Sequence, residues 1–229
     1  MEGYGRMNLV EHPDRDAMMA DVAGRLADGL DNALVDGRRA TLAVPGGTTP
    51  GPIFDALSGA NLRWDRVDVM LTDERCVPPN HPRSNERLLR ERLLVGRAAE
   101  AGYVPVMSAG ADGAEFAERA RFPDQALPVS VLLLGMGADM HTASLFPGSP
   151  QLADALDDDA PALMAVDAPG QPERRITMTA PALKGAKSIH IVISGAEKRA
   201  ALERARASND PMSAPICAVL PKAWVHWAE

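Results

Sequence analysis

The chain has 229 residues, 46% of them hydrophobic and 24% charged, and a formal net charge of −7. That length supports one large domain with a substantial core. The acidic balance and the lack of a concentrated basic cluster argue against nucleic acid as a partner, and no apolar run is long enough to span a bilayer.

The start, "MEGYGRMNLVEHPDRD", has no basic stretch followed by an apolar core, so it does not read as a secretory signal. A cytoplasmic protein is expected, with one domain over residues 1–229 in which 1–12 form a dispensable extension. From Asp14, the residues Met18, Val22, Leu26, Leu30 and Leu34 recur every fourth position. That spacing is one face of an amphipathic helix, and Gly37 supplies a stop signal. "ATLAVPGGTTPGPIFDAL" then reads as strand, glycine turn and helix, with Thr48 or Thr49 as candidate helix cap and Pro50 in the first turn. "RVDVMLTDER" is a second strand that ends in charges. "SNERLLRERLL" is a helix that the Ser84 hydroxyl can cap.

"GYVPV" is a third strand and "GAEFAERARF" a helix. "PVSVLLLGMG", apolar throughout, suits a strand buried on both faces of a parallel sheet. "RRITMTAPAL", "SIHIVISG" and "AEKRAALERARA" continue the strand-then-helix rhythm, and "PICAVL" and "AWVHWAE" read as closing strands. The stretch from Asp157 to Pro172 reads as a surface loop around a short strand. The alternation predicts an α/β fold: one mostly parallel sheet flanked by helices. Cys76 and Cys217 make no disulfide framework. His12, His81 and His226 have no cluster around them in the sequence, and His190 sits within an apolar strand as a packed residue. With no zinc-type spacing, no metal is inferred.

Ligands of open α/β sheets bind beyond the carboxyl ends of the strands, and three such ends are chemically loaded here. After the first strand, Gly46, Gly47 and Thr48 offer close backbone approach and free N–H groups at a helix start, a natural phosphate site. After the second, Asp73, Glu74 and Arg75 can bind sugar hydroxyls and an anion, for which the planar Arg fork is suited. The third follows "LLLGMG". There Asp139 and His141 lie two apart, so an extended loop puts them on one side, where a carboxylate can orient an imidazole base. Thr142 and Ser144 are weaker nucleophile candidates, since neither sits in a GxSxG elbow. Arg175 and Lys198 add cations close to two later strands.

Taken together, "LAVPGGTTP", "LTDERCVPPNHPRSNERLLRERLL", "LLLGMGADMHTASLFPGSP", "RITMT" and "ISGAEKRAAL", in this order, resemble the 6-phosphogluconolactonase family over about residues 13–227. The resemblance implies a fold of the glucosamine-6-phosphate deaminase/ribose-5-phosphate isomerase type. It implies hydrolysis of 6-phospho-D-glucono-1,5-lactone to 6-phosphogluconate in the oxidative pentose phosphate pathway, without a cofactor. By matching positions, His141 is the general base with Asp139 beside it. The backbone of Gly46, Gly47 and Thr48, together with Asp73, Arg75, Arg175 and Lys198, holds the substrate, and Arg75 is the candidate oxyanion partner. The expected partner is a small phosphosugar lactone, handled by a monomer or small homo-oligomer.

One position departs from the family pattern. Met140 stands where the family usually has glycine before the histidine. A positive φ there would strain a methionine by about 1–2 kcal/mol, and the side chain is large enough to crowd the pocket. Two rivals remain on sequence grounds: a phosphosugar deaminase-isomerase of the same fold, and a non-catalytic phosphosugar-binding sensor. Against the first, Ser144-Leu145-Phe146-Pro147 carries no carboxylate after the histidine block.

Overall fold

The computed structural model describes residues 7–35, 37–107, 122 and 126–229. Ten strands appear in chain order: β1 (Asn8–Glu11), β2 (Ala40–Val44), β3 (Val67–Leu71), β4 (Asp73–Arg75), β5 (Gly102–Val104), β6 (Val131–Gly135), β7 (Leu163–Val166), β8 (Arg175–Met178), β9 (Ser188–Ser194) and β10 (Ala223–Ala228). Six α-helices accompany them among the described residues: α1 (Arg15–Leu34), α2 (Gly51–Ser58), α3 (Asn85–Arg92), α4 (Leu152–Leu156), α5 (Ala180–Lys184) and α6 (Ala196–Ser208).

Seven strands form one sheet in the order β1-β10-β9-β6-β2-β3-β5, parallel at every pairing. The central strands β2 and β6 are apolar without alternation because helices cover both faces of the sheet. Helix α1 buries Met18, Val22, Leu26, Leu30 and Leu34, the stripe read from the sequence, and the Asp14 carboxylate caps it by accepting the Ala17 N–H at 2.7 Å. Ser84 caps α3 by accepting from the Arg87 N–H.

From β2 the chain runs outward through β3 to β5. It then returns to β6 and proceeds the other way to β9 and β10. The direction reverses between β2 and β6, so a crevice opens beyond their carboxyl ends. The ends are Pro45-Gly46-Gly47 and Met136-Gly137, two of the three loaded stretches.

Several expectations need correction. Residues 8–11 are not an extension outside the fold: β1 pairs with β10 from Asn8↔Trp224 to Glu11↔Trp227. A four-residue edge strand is too short to show a period in sequence. "RITM" is a strand, but it belongs to a second, antiparallel sheet, β4-β8-β7, which the alternation argument did not foresee. The chain crosses between sheets at Thr72, whose N–H donates to Val44 in the large sheet while its carbonyl accepts the Met178 N–H of the small one. "PICAVL" is not a strand. Pro215 and the following Pro221 favour tight turns, and residues 215–222 form 3-10 turns at Pro215–Ala218 and Leu220–Lys222. Neither Thr48 nor Thr49 caps α2, whose N-cap position is Pro50, with no side-chain cap bond. The helix expected over "GAEFAERARF" lies outside the described residues apart from Phe122.

His12 and His226 are not isolated either. Their rings lie 3.2 Å apart, nitrogen to nitrogen, and His190 follows at 3.2 Å from His226. These contacts join residues up to 214 positions apart, which spacing in the chain cannot reveal. Burial pushes the His190 imidazole down to about 4 and that of His226 to about 3, so both rings are neutral.

Candidate active site

The crevice between β2 and β6 holds a cavity of about 280 Å³. Gly46, Gly47 and Thr48 form one wall with their backbone. Asp73, Arg75 and Arg175 form a second, and His141 and Lys198 complete the rim. Of the residues expected to hold or attack the substrate, Gly46, Gly47, Thr48, Asp73, Arg75, His141, Arg175 and Lys198 line one cavity, whereas Glu74, Thr142 and Ser144 do not, and Asp139 stands directly behind His141.

His141 is fixed by its neighbours. The Asp139 carboxylate accepts the imidazole Nδ1–H at 2.5 Å and the His141 backbone N–H at 3.2 Å, both on Oδ1. With Nδ1 engaged, Nε2 carries the free lone pair. Phe146 stacks on the imidazole with ring centroids 4.3 Å apart. The turn that makes this possible is closed by the Gly137 N–H donating to the His141 carbonyl and the Met140 N–H donating to the Gly137 carbonyl, each at 3.0 Å. A Cβ on residue 137 would overlap both the imidazole and the Asp139 carboxylate, so glycine is needed there. Met140 has φ +68°, the strained conformation foreseen for it. It does not crowd the cavity: its side chain packs against the hydrophobic core, and its carbonyl accepts the Ile216 N–H at 3.1 Å.

The cationic wall is built by register. Arg75 of β4 and Arg175 of β8 are direct cross-strand partners, an arrangement of like charges that disfavours the sheet unless an anion answers it. Burial lowers the pKa of Arg175; Asp73, 3.7 Å away, opposes this while Arg75 and Arg83 add to it. The Nε atoms of Arg75 and Arg175 are buried without a hydrogen-bond partner among the described residues. Lys198, in the first turn of α6, has no ion-pair partner among them.

The two acids of the second loaded strand end divide their tasks. Asp73 is buried, and its Oδ2 accepts the Ser144 hydroxyl at 2.6 Å. Glu74 does not face the cavity. Its carboxylate accepts N–H groups of Arg75, Asn85 and Glu86 at 2.7–2.9 Å and the Ser84 hydroxyl at 3.0 Å, so it satisfies the start of α3. That corrects the reading of Glu74 as a sugar ligand. Burial nevertheless keeps its carboxyl above the usual carboxylate range, against the pull of these bonds. Thr142 and Ser144 are fully buried with hydroxyls bonded to Gly135 and Asp73, which leaves them no nucleophile's position. Two residues of the site escaped the sequence reading of its chemistry: Asn85, which lines the cavity, and Phe146, which stacks on the His141 ring. Phe146 was visible only as part of a motif, and Asn85, which packs against Gly46 and donates to the Asp73 carbonyl, only as part of a helix start.

A family model described as glucosamine-6-phosphate isomerases/6-phosphogluconolactonase matches residues 13–227. The chain belongs to the glucosamine-6-phosphate isomerase/6-phosphogluconolactonase family. It is 39% identical to a 6-phosphogluconolactonase of Rhizobium meliloti (strain 1021), covering 97% of this chain and 98% of the relative. It is 40% identical to one of Pseudomonas aeruginosa, over 92% and 88% of the two chains. Among solved structures, a 6-phosphogluconolactonase from Shewanella baltica OS155 superposes with a TM-score of 0.89 at 33% identity, over 99% of both chains. A monomeric glucosamine-6-phosphate deaminase superposes with a TM-score of 0.79 at 17% identity, over 97% and 98% of the chains, and so shares the fold. The family's two named activities both act on phosphosugars, and the cavity wall of arginines and helix-start backbone suits that shared group.

Proposed function

We propose that this chain hydrolyses 6-phospho-D-glucono-1,5-lactone to 6-phosphogluconate in the oxidative pentose phosphate pathway, with His141 as the base that activates water. The observation that carries the proposal is the His141–Asp139 pair at 2.5 Å on the rim of a cavity walled by Arg75 and Arg175. Its relatives at 37–40% identity are named 6-phosphogluconolactonases, which supports the same substrate here.

The phosphate is anchored by the backbone of Gly46, Gly47 and Thr48 and by cations of the wall, which brings the lactone carbonyl to the imidazole. His141 Nε2 takes a proton from water as the water oxygen bonds to the carbonyl carbon. The Asp139 carboxylate stabilises the imidazolium that forms. Arg75 stabilises the tetrahedral oxyanion, and Asp73 holds Arg175 in place beside it. The intermediate collapses with cleavage of the bond to the ring oxygen, which receives the proton from His141. A lactone carbonyl is electrophilic enough for activated water, so the reaction calls on no cofactor. All the groups come from one chain, so a monomer or small homo-oligomer suffices. The two thiols, Cys76 and Cys217, are free, which fits a cytoplasmic setting.

The direct test follows lactone disappearance above its spontaneous rate, with ammonia release from glucosamine 6-phosphate measured in parallel. Enzyme-dependent lactone loss without ammonia supports the proposal. Ammonia release would assign the deaminase activity instead, and phosphosugar binding without turnover would assign a sensor.

A further inference from the structure

Away from the cleft, a histidine ladder crosses the parallel sheet at its β1 edge. His12 follows β1, His226 lies in β10 and His190 in β9. His12 Nε2 and His226 Nδ1 are 3.2 Å apart, and Asp21 Oδ2, presented by α1, lies 4.0 Å from each. These three donor atoms converge from three elements on one point.

We propose that His12, Asp21 and His226 bind a divalent transition-metal ion of the zinc type, which clips edge strand β1 to β10 and α1. Four-coordinate zinc with ligand bonds of about 2.0–2.1 Å needs its donor atoms roughly 3.3 Å apart. The edge between the two imidazoles already has that length. The other two close with a small rotation of the Asp21 side chain, which is partly exposed on its helix. Two imidazoles and one carboxylate match the donor preference of such ions rather than of magnesium or calcium. The Asp21 side opens to solvent, which leaves a fourth position for water.

The surroundings supply the outer partners that ligating histidines require. When His226 Nε2–H donates to His190 Nδ1 at 3.2 Å and His190 Nε2–H donates to Ser188 Oγ at 3.0 Å, the His226 Nδ1 lone pair faces His12 and Asp21. Arg25 donates to Asp21 Oδ2 at 2.6 Å. Both the histidines and the guanidinium face Oδ2, so the rotation that brings Asp21 onto the ion turns one oxygen to the metal and leaves the other for Arg25, while the nearby positive charge moderates affinity. No group of this cluster lines the lactone cavity, so the site is separate from the proposed chemistry.

The test uses the full-length protein after chelator treatment and dialysis. Zn²⁺ binding is followed by calorimetry, Co²⁺ by its visible absorption in tetrahedral sites, and thermal midpoint is read with and without Zn²⁺. One saturable equivalent is expected, with tetrahedral Co²⁺ absorption and a raised midpoint. His12→Gln and Asp21→Asn should each weaken binding roughly tenfold or more and remove the midpoint rise. Midpoints of the metal-free variants confirm that they are folded. His141→Gln controls for the other histidine–aspartate pair and should bind as wild type. Absence of saturable binding, unchanged binding in His12→Gln, or loss in His141→Gln would overturn the proposal.

Discussion

Glycine at position 137 is a condition for the His141–Asp139 pair, because any side chain there would occupy the space of both groups. Gly137→Ala should therefore separate the pair while the buried strand β6 behind it stays folded. The expected outcome is a fall in kcat of about 10²-fold, the lower end of a general base's contribution, with a smaller change in KM. Steady-state kinetics on the folded variant checks this. Three residues on, Met140 sits at φ +68° with its carbonyl and N–H both engaged. A β-branched residue tolerates that conformation worse than methionine does. Met140→Val should lower stability by about 1–2 kcal/mol, read as a reduced midpoint in denaturant. The sequence alone placed His141 and Asp139 together because alternation is a local rule. It could not show Phe146 stacked on the imidazole, since an aromatic in a loop has no period to betray its target.

At the scale of elements, the junction between the two sheets organises the cationic wall. Thr72 hands the chain from β3 to β4, Glu74 fastens β4 to the start of α3, and the β4–β8 register sets Arg75 against Arg175. Glu74 satisfies three backbone N–H groups and the Ser84 hydroxyl in a buried position. Glu74→Ala would leave these donors without an acceptor, at a cost of at least about 2 kcal/mol. Chemical denaturation should show that loss, and KM should rise in the folded fraction as Arg75 loses its anchor. The elements with a clear period were legible: the four-residue spacing of α1 and the unbroken apolar run of β6. The short antiparallel sheet was not. Strands of three or four residues carry too few side chains to distinguish pairing partners, and β8 reads in sequence like one more parallel strand.

For the molecule as a whole, strand order decides where chemistry can occur. The reversal between β2 and β6 opens the crevice, and both loops that border it carry the glycines recognised in the sequence. The order of the seven strands was not legible, because parallel pairings join segments separated by whole helices. The same distance in sequence hid the histidine ladder, whose members come from both ends of the chain. The described residues include no helix long and apolar enough to cross a membrane. The account's central claim is that one imidazole, held by Asp139 at the rim of an anion-binding cavity, activates the attacking water. The measurement that tests it most directly is the rate of 6-phosphogluconolactone loss, corrected for spontaneous hydrolysis, for wild type beside His141→Ala. The account predicts a fall in kcat of at least about 10²-fold with an unchanged thermal midpoint. A variant that turns over the lactone at a near-normal rate would contradict it.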